Sequence, residues 1–362
     1  MHPNQIWWKI LGAVLFLIVL NRGLLTPLKH GIVDVKPDRF QAGQEIELDI
    51  YAYNSQYNAA SELSVFLKPL QKDHHLGKRL MLAASKVEVL SPVQLRAHFK
   101  LPEFLPDIVK VSLFSVIVDS PLDGAAVIPA KVIIVQDSIH FENGMLAWSP
   151  GNLNEFHQKN KLHFPYRNIL VETIRNTFFH VSLWFAMFLL LGMSVYFSFR
   201  YLKNPDPEYD LKAFALVRTG IFFGLLGCAT GSLWARYTWE TWWTTDIKLN
   251  MAALSILIYL AYLVLRASVE DIDRKRRIAA AYNIFALVAV IPLIFVLPRL
   301  TDSLHPGNGG NPAFGSDDMD NALRLIFYPS VFALMLMGLW LASLLYRLDK
   351  IKSHLDESEN NF

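Results

Sequence analysis

Four of the nine tryptophans fall within ten residues, in the run Gly231-Ser-Leu-Trp234-Ala-Arg236-Tyr-Thr-Trp239-Glu240-Thr-Trp242-Trp243-Thr-Thr245-Asp246. Trp239, Trp242, Trp243 and Asp246 are spaced i, i+3, i+4, i+7, which predicts one helical face: an aromatic shelf ending in a carboxylate. Interfacial anchoring accounts for one or two tryptophans at a helix end, not for a continuous shelf. Such a surface suits a large, flat, apolar ligand with charged edges. Two histidines, His180 and His305, offer neutral nitrogen ligands on either side of it. A six-coordinate heme needs that combination of two axial nitrogens and an apolar surround.

Each residue also has a plainer reading. His180 stands one or two turns inside an apolar segment, where an ionisable group is costly unless partnered. A neutral imidazole bonded to a neighbouring helix would satisfy that condition. His305 lies in Leu304-His305-Pro306-Gly-Asn-Gly-Gly310-Asn-Pro312, a glycine- and proline-rich stretch where backbone can approach a ligand closely, or where a histidine is simply solvated. Arg236 and Lys248 flank the shelf and could pair with heme propionates, or sit at headgroup level as helix-end cations. Arg175 is a weaker propionate candidate. Asp246 cannot pair with a propionate, and is expected to fix Arg236, Lys248 or an indole N–H in place. His74 and His75 read as surface residues of a polar loop. His140, His157 and His163 have no ligand spacing. No Ser-His-Asp arrangement, P-loop or GxGxxG is present.

The elements that must position these residues are apolar. With 53% hydrophobic residues and a mean hydropathy of +0.28, the 362-residue chain exceeds ordinary soluble composition. A net charge of +2 without basic runs beyond membrane-flanking levels argues against nucleic acid as a partner. Cys228 is the only cysteine, which excludes an intramolecular disulfide, a CxxC pair and a thiolate cluster.

A bilayer core of roughly 30 Å takes about 20 apolar helical residues. Segments near 177–199, 212–235, 249–267, 279–298 and 325–346 meet that length, and a shorter one covers about Ile6 to Leu25. That first segment resembles a signal-peptide core but lacks a small-x-small cleavage site, so a retained anchor over residues 1–30 is expected. Residues 31–136 instead alternate, as in Glu45–Tyr51, Glu62–Phe66, Gln94–Phe99, Val109–Phe114 and Val127–Ile134, with turn residues at Ala42-Gly43, Asn54-Ser55 and Pro121–Gly124. Strands at this spacing predict a β-sandwich of about 105 residues. Residues 137–172 read as a polar connector, 173–352 as a five-helix membrane domain with an external segment 231–250, and 353–362 as a cytoplasmic tail. The fold class expected is therefore an all-α polytopic membrane protein of about six transmembrane helices with an inserted extracytoplasmic all-β sandwich-like domain.

Loop charge sets the orientation. Arg266, Arg274, Lys275, Arg276 and Arg277 mark a cytoplasmic loop, and Arg200, Lys203, Lys212, Arg347, Lys350 and Lys352 fall on the same side by span counting. The β domain, the tryptophan run and the 299–322 loop then share the outside, and parity places His180 and His305 there too.

The run from Gly231 to Asp246 resembles the tryptophan-rich "WWD" signature of cytochrome c assembly proteins, and most closely the heme exporter protein C family. The resemblance covers about residues 170–347 and includes His180 in Phe-Phe-His-Val-Ser-Leu-Trp-Phe and His305 in Leu-His-Pro-Gly. It implies six spans, a bacterial inner-membrane location, axial ligation of heme b iron by His180 and His305, and a heme platform made by Trp234, Trp239, Trp242, Trp243 and Asp246. It further implies delivery to a periplasmic heme chaperone alongside ABC transporter subunits. Three departures stand out: Glu240 where the signature usually has glycine, Thr245 where it has tryptophan, and Lys248 in place of arginine, which loses bidentate propionate recognition. The β domain is the largest departure, since the family core lacks it. Binding and transfer are expected rather than bond making. A stand-alone cytochrome c synthetase and a heme-free membrane scaffold are the alternatives.

Overall fold

Period-two alternation builds the strand-rich part of the chain. In β3 (Glu45–Tyr53), Ile46, Leu48 and Ile50 turn inward while Glu45, Glu47 and Asp49 turn out. It pairs antiparallel with β7 (Gln94–Lys100), whose Leu95, Ala97 and Phe99 are likewise buried. On the outer face Arg96 forks onto Asp49 at 2.7 and 3.1 Å. β1 (Gly31–Lys36) and β6 (Lys86–Ser91) complete a four-stranded sheet in the order β1-β3-β7-β6.

A second, six-stranded sheet takes in β2 (Arg39–Gln41), β4 (Ser64–Pro69), β5 (Leu80–Ala83), β8 (Val111–Ser120), β9 (Gly124–Val135) and β10 (Ser149–Pro150), in the order β10-β5-β4-β8-β9-β2. The pairing of β2 with β9 is parallel. The turns expected at Gly43, Asn54 and Gly124 each carry a positive φ, of 80°, 55° and 84°, the backbone region where glycine and asparagine are least penalised. One apolar core unites both sheets and includes Tyr57, Phe99, Phe114 and Leu48. Residues after β9 join it: α2 (Phe141–Ala147) leads into Trp148, which is buried and stacks on Phe114 at 5.2 Å.

The described residues are 6–70, 80–150, 155–158, 162–305 and 319–359 of this computed structural model. They divide into two compact units, Pro27–Val171 and the remainder. His74 and His75 lie outside the described residues, as does the 306–312 stretch.

The other unit is helical. It comprises α1 (Trp7–Leu25), α3 (Asn176–Lys203), α4 (Pro207–Thr238), α5 (Ile247–Ser268), α6 (Ile272–Ile291) and α7 (Asn321–Glu359). Six helices of the described chain are long and apolar enough to cross a membrane. Three start on an aspartate that caps its own first turn: Asp206 accepts from Glu208 N, Asp246 from Lys248 N and Asp271 from Arg274 N. Buried polar groups tie the helices together. Asn283 of α6 donates to Ser194 and Ser198 of α3, both at 2.9 Å. At the end of the bundle where α4 begins and α5 ends, the buried Asp210 takes both arms of Arg266 at 2.6 and 2.5 Å. Buried charge is retained only with such full pairing.

Candidate functional site

Close approach of α3 and α4 sets the first histidine. A side chain at Gly227 would meet the Trp184 ring at 3.0 Å, and one at Gly231 would sit 2.7 Å from Cε1 of His180. Glycine at these positions lets the His180 ring come close to the α4 backbone. Its Nδ1 is 3.0 Å from the Gly227 carbonyl and 3.2 Å from Thr230 Oγ1. A carbonyl only accepts, so Nδ1 carries the hydrogen and Nε2 keeps its lone pair. Trp184 and Trp234 stand edge-on to the imidazole, with centroids 6.3 and 5.8 Å away. Trp234 is fixed in turn by donating from Nε1 to Thr173 at 3.2 Å.

The second histidine is held by a carboxylate. Asp246 Oδ1 accepts from Lys248 N at 2.9 Å and from Nδ1 of His305 at 3.1 Å, while Oδ2 accepts from Leu304 N at 2.7 Å. Its side chain is only 1% exposed. Burial pushes the Asp246 carboxyl up, but the Leu304 N–H, the Ser303 hydroxyl, His305 and the Lys248 N–H outweigh it and hold the group below the usual carboxylate range. Burial pushes the His305 imidazole below its ordinary value, an effect the Asp246 charge opposes and Lys248 reinforces. Burial thus favours the neutral imidazole, which donates from Nδ1 to a group that can only accept and keeps Nε2 open. Trp239 packs edge-on against it at 4.9 Å.

The tryptophan run is not a helical face. α4 ends at Thr238, residues 239–246 follow an irregular path, and α5 begins at Ile247. The chain departs from helical geometry just after this end, where Glu240 has a φ of 60°, in the left-handed region. The four residues spaced as a helical stripe consequently point to different places. Trp239 packs on His305, Trp243 faces the cavity and bonds Asn250 at 3.2 Å, and Trp242 is 57% exposed. Asp246 serves His305 and the start of α5 rather than Arg236 or an indole.

The cations divide as well. Lys248 lines the cavity. Arg236 donates to the Glu240 carbonyl, closing the turn that leaves α4. Arg175 donates to the Gly23 and Thr26 carbonyls at 2.9 and 2.6 Å, fastening the end of α1 to the start of α3.

His180 and His305, 125 residues apart in the chain, line one cavity of about 440 Å³. This lies within the roughly 300–1,000 Å³ typical of small-molecule sites, and its walls are mainly apolar, as such sites are. Trp184, Phe188 and Cys228 share the lining, together with Gly227 and Gly231. Sequence reasoning missed Trp184, although it stands one helical turn after His180. The glycines carried a signal too, as Gly220, Gly224, Gly227 and Gly231 recur at helical spacing along α4. Apart from the exposed His354 of α7, the other described histidines belong to the strand-rich unit: His157 bonds Asp119 at 2.9 Å, and His140 packs on Phe104. No group of three or more metal-ligating side chains occurs among the described residues.

Two imidazoles, each with one nitrogen committed and the other open, line one apolar cavity in a unit whose helices are long and apolar enough to cross a membrane. The family model for heme exporter protein C matches residues 165–361, and the chain belongs to that family. Heme exporter protein C of Bradyrhizobium diazoefficiens is 30% identical over 174 residues, 48% of this chain and 65% of the relative. Its counterpart in Haemophilus influenzae is 23% identical over 145 residues, 40% of this chain and 58% of the relative. Cytochrome c biogenesis protein CcsA of Prochlorococcus marinus subsp. pastoris is 33% identical over 85 residues, 24% of this chain and 27% of that protein. The matched stretch thus spans less than two thirds of each relative's length. The strands β1 to β10 lie before residue 165, outside the family match.

Proposed function

We propose that this protein binds heme b between His180 and His305 at the outer face of a bacterial inner membrane and hands it to a periplasmic heme chaperone. ABC transporter subunits of a cytochrome c maturation system would work beside it, and the strand-rich unit would lie on the periplasmic side. The observation that carries this reading is the pair of open Nε2 atoms on one cavity. Heme iron takes neutral imidazole nitrogen on its axial positions, and the second bond from each Nδ1 fixes tautomer and ring orientation.

The chain's own groups divide the remaining work. Trp184 and Phe188 exclude water from the cargo's apolar face. Lys248 offers a cation to its carboxylate edge as a point charge rather than a fork. Release follows when a partner's ligand replaces one imidazole, so no covalent bond is made here. The purified chain should show a low-spin optical spectrum, and His180→Ala and His305→Ala should each reshape the Soret band. Spectra unchanged in both variants would remove the two residues as ligands and end the proposal.

A further inference from the structure

Below the cavity the helical unit is shut. Met187 and Leu191 of α3, Ile221 of α4, Ile256 of α5 and Val290 of α6 are all buried in a single apolar layer. Beyond them, the Asp210–Arg266 pair ties α4 to α5, and Arg276 of α6 lies 3.6 Å from the same carboxylate. A planar macrocycle has no passage along the helix axes through that packing.

The side wall is different. α3 and α6 are joined by Asn283, Ser194 and Ser198, but at Pro292 the α-helix gives way to a π turn, Pro292–Val296, and then a 3-10 turn, Leu297–Arg299. Pro292 and Pro298 have no N–H to continue the α-helical pattern, and π turns are frequent at functional sites. These turns pack on α5, so the wall between them and α3 is spanned by the Phe188–Phe295 ring pair, 5.0 Å apart. Phe185, Phe188 and Phe295 all line the cavity, yet Phe185 and Phe295 are also 38% and 46% exposed. Both stand within apolar spans long enough to cross a bilayer, so the outside they meet is hydrocarbon.

We propose that Phe185, Phe188 and Phe295 frame a lateral portal between α3 and the π turn, through which a flat aromatic macrocycle dissolved in the bilayer reaches the cavity. The proposal rests on the heme-binding reading and adds its source, the lipid phase rather than water. Three phenyl rings offer stacking faces and no hydrogen-bond donor, so the portal admits an apolar disc and leaves a carboxylate edge to the Lys248 end of the cavity.

The test uses the full-length chain in lipid nanodiscs, with hemin supplied either predissolved in the nanodisc lipid or bound to albumin in the buffer. Growth of the Soret band is followed for the native chain, Phe295→Ala and Phe295→Glu. The native chain should load faster from lipid. Phe295→Ala should speed lipid loading roughly threefold by removing one leaf of the gate. Phe295→Glu should slow it ~10-fold, since a charge at that depth is costly to pass and to dehydrate. Each loading rate is scored against that chain's own end-point amplitude, so that a change in affinity at the cavity wall is kept apart from a change in entry. Faster loading from albumin, or lipid loading indifferent to both substitutions, overturns the portal while leaving the site. A native chain that forms no band from either donor overturns the heme reading, and the portal with it.

Discussion

His180 and His305 reach the same cavity from opposite kinds of structure. His180 belongs to a long helix pressed onto α4 through Gly227 and Gly231, and the shorter of its two Nδ1 contacts is to backbone. His305 follows irregular backbone, and one carboxylate, Asp246, holds both its ring and the neighbouring Leu304 N–H. The first ligand is set by packing, which cannot yield without moving a helix. The second is set by a small group of hydrogen bonds, which can exchange. Under the proposed heme-binding function, which requires both holding and release, this asymmetry would make His305 the ligand that lets go.

The largest effect should come from breaking the packed side. Gly231→Leu places carbon where Cε1 of His180 already lies within 2.7 Å, so the imidazole must leave its seat. Overpacking of this kind costs on the order of 1–3 kcal/mol, enough to lower heme affinity ~10-fold or more in a hemin titration. Gly192→Ala is the control, because nothing lies within 4 Å of a side chain there. Equal losses in both variants would mean that α4 packing has no special bearing on the site.

Asp246→Ala attacks the other side. Outer-shell partners of metal ligands typically contribute ~10–100-fold in affinity. The loss should fall mainly on His305, so added imidazole should restore a low-spin spectrum in this variant. It should not do so in Gly231→Leu, where leucine fills the space. Rescue of both to the same degree would erase the asymmetry. A smaller effect is expected from Thr230→Val. It removes the longer of the two contacts to His180 Nδ1 and leaves the Gly227 carbonyl in place, so a change of only a few-fold in affinity should follow.

The same contrast governs what could be read from the sequence. Spans were legible because 18 or more apolar residues in a row have few other uses, and the helices coincide with those runs. Parity of crossings sufficed to put His180 and His305 at one end, where the structure brings them to a common cavity. The 239–246 stretch misled because its aromatic spacing imitates a helix. Backbone conformation decides that stretch, and neither the left-handed Glu240 nor the Asp246 cap has a signal in hydrophobic periodicity. Arg236 and Arg175 could not be assigned for a related reason. Both bind backbone carbonyls, which every residue possesses and no sequence marks, while Arg175 also pairs with Glu172 three residues earlier at 2.5 Å. Among the strands, β3 and β7 alternate cleanly, while β5 and β10 are short and β2 pairs parallel across a long separation.

The smallest expected effect tests the link between the two sides, the turn that carries the chain from α4 to Asp246. Glu240 adopts a φ of 60°, where a side chain crowds the neighbouring carbonyl and glycine does not. Glycine is also the residue the WWD signature usually has there. Arg236 binds the Glu240 carbonyl, so the turn is held through backbone and the glutamate side chain is exposed. Glu240→Gly should therefore relieve strain of about 1 kcal/mol, less the entropy that glycine adds to the unfolded chain. The expected outcome is an unchanged or slightly raised Tm, with heme affinity and spectrum intact. Glu240→Val should move the other way, since a β-branched residue tolerates positive φ least. A thermal unfolding series of the three chains checks the order Gly, Glu, Val; if valine proves as stable as glycine, left-handed backbone at 240 carries no strain.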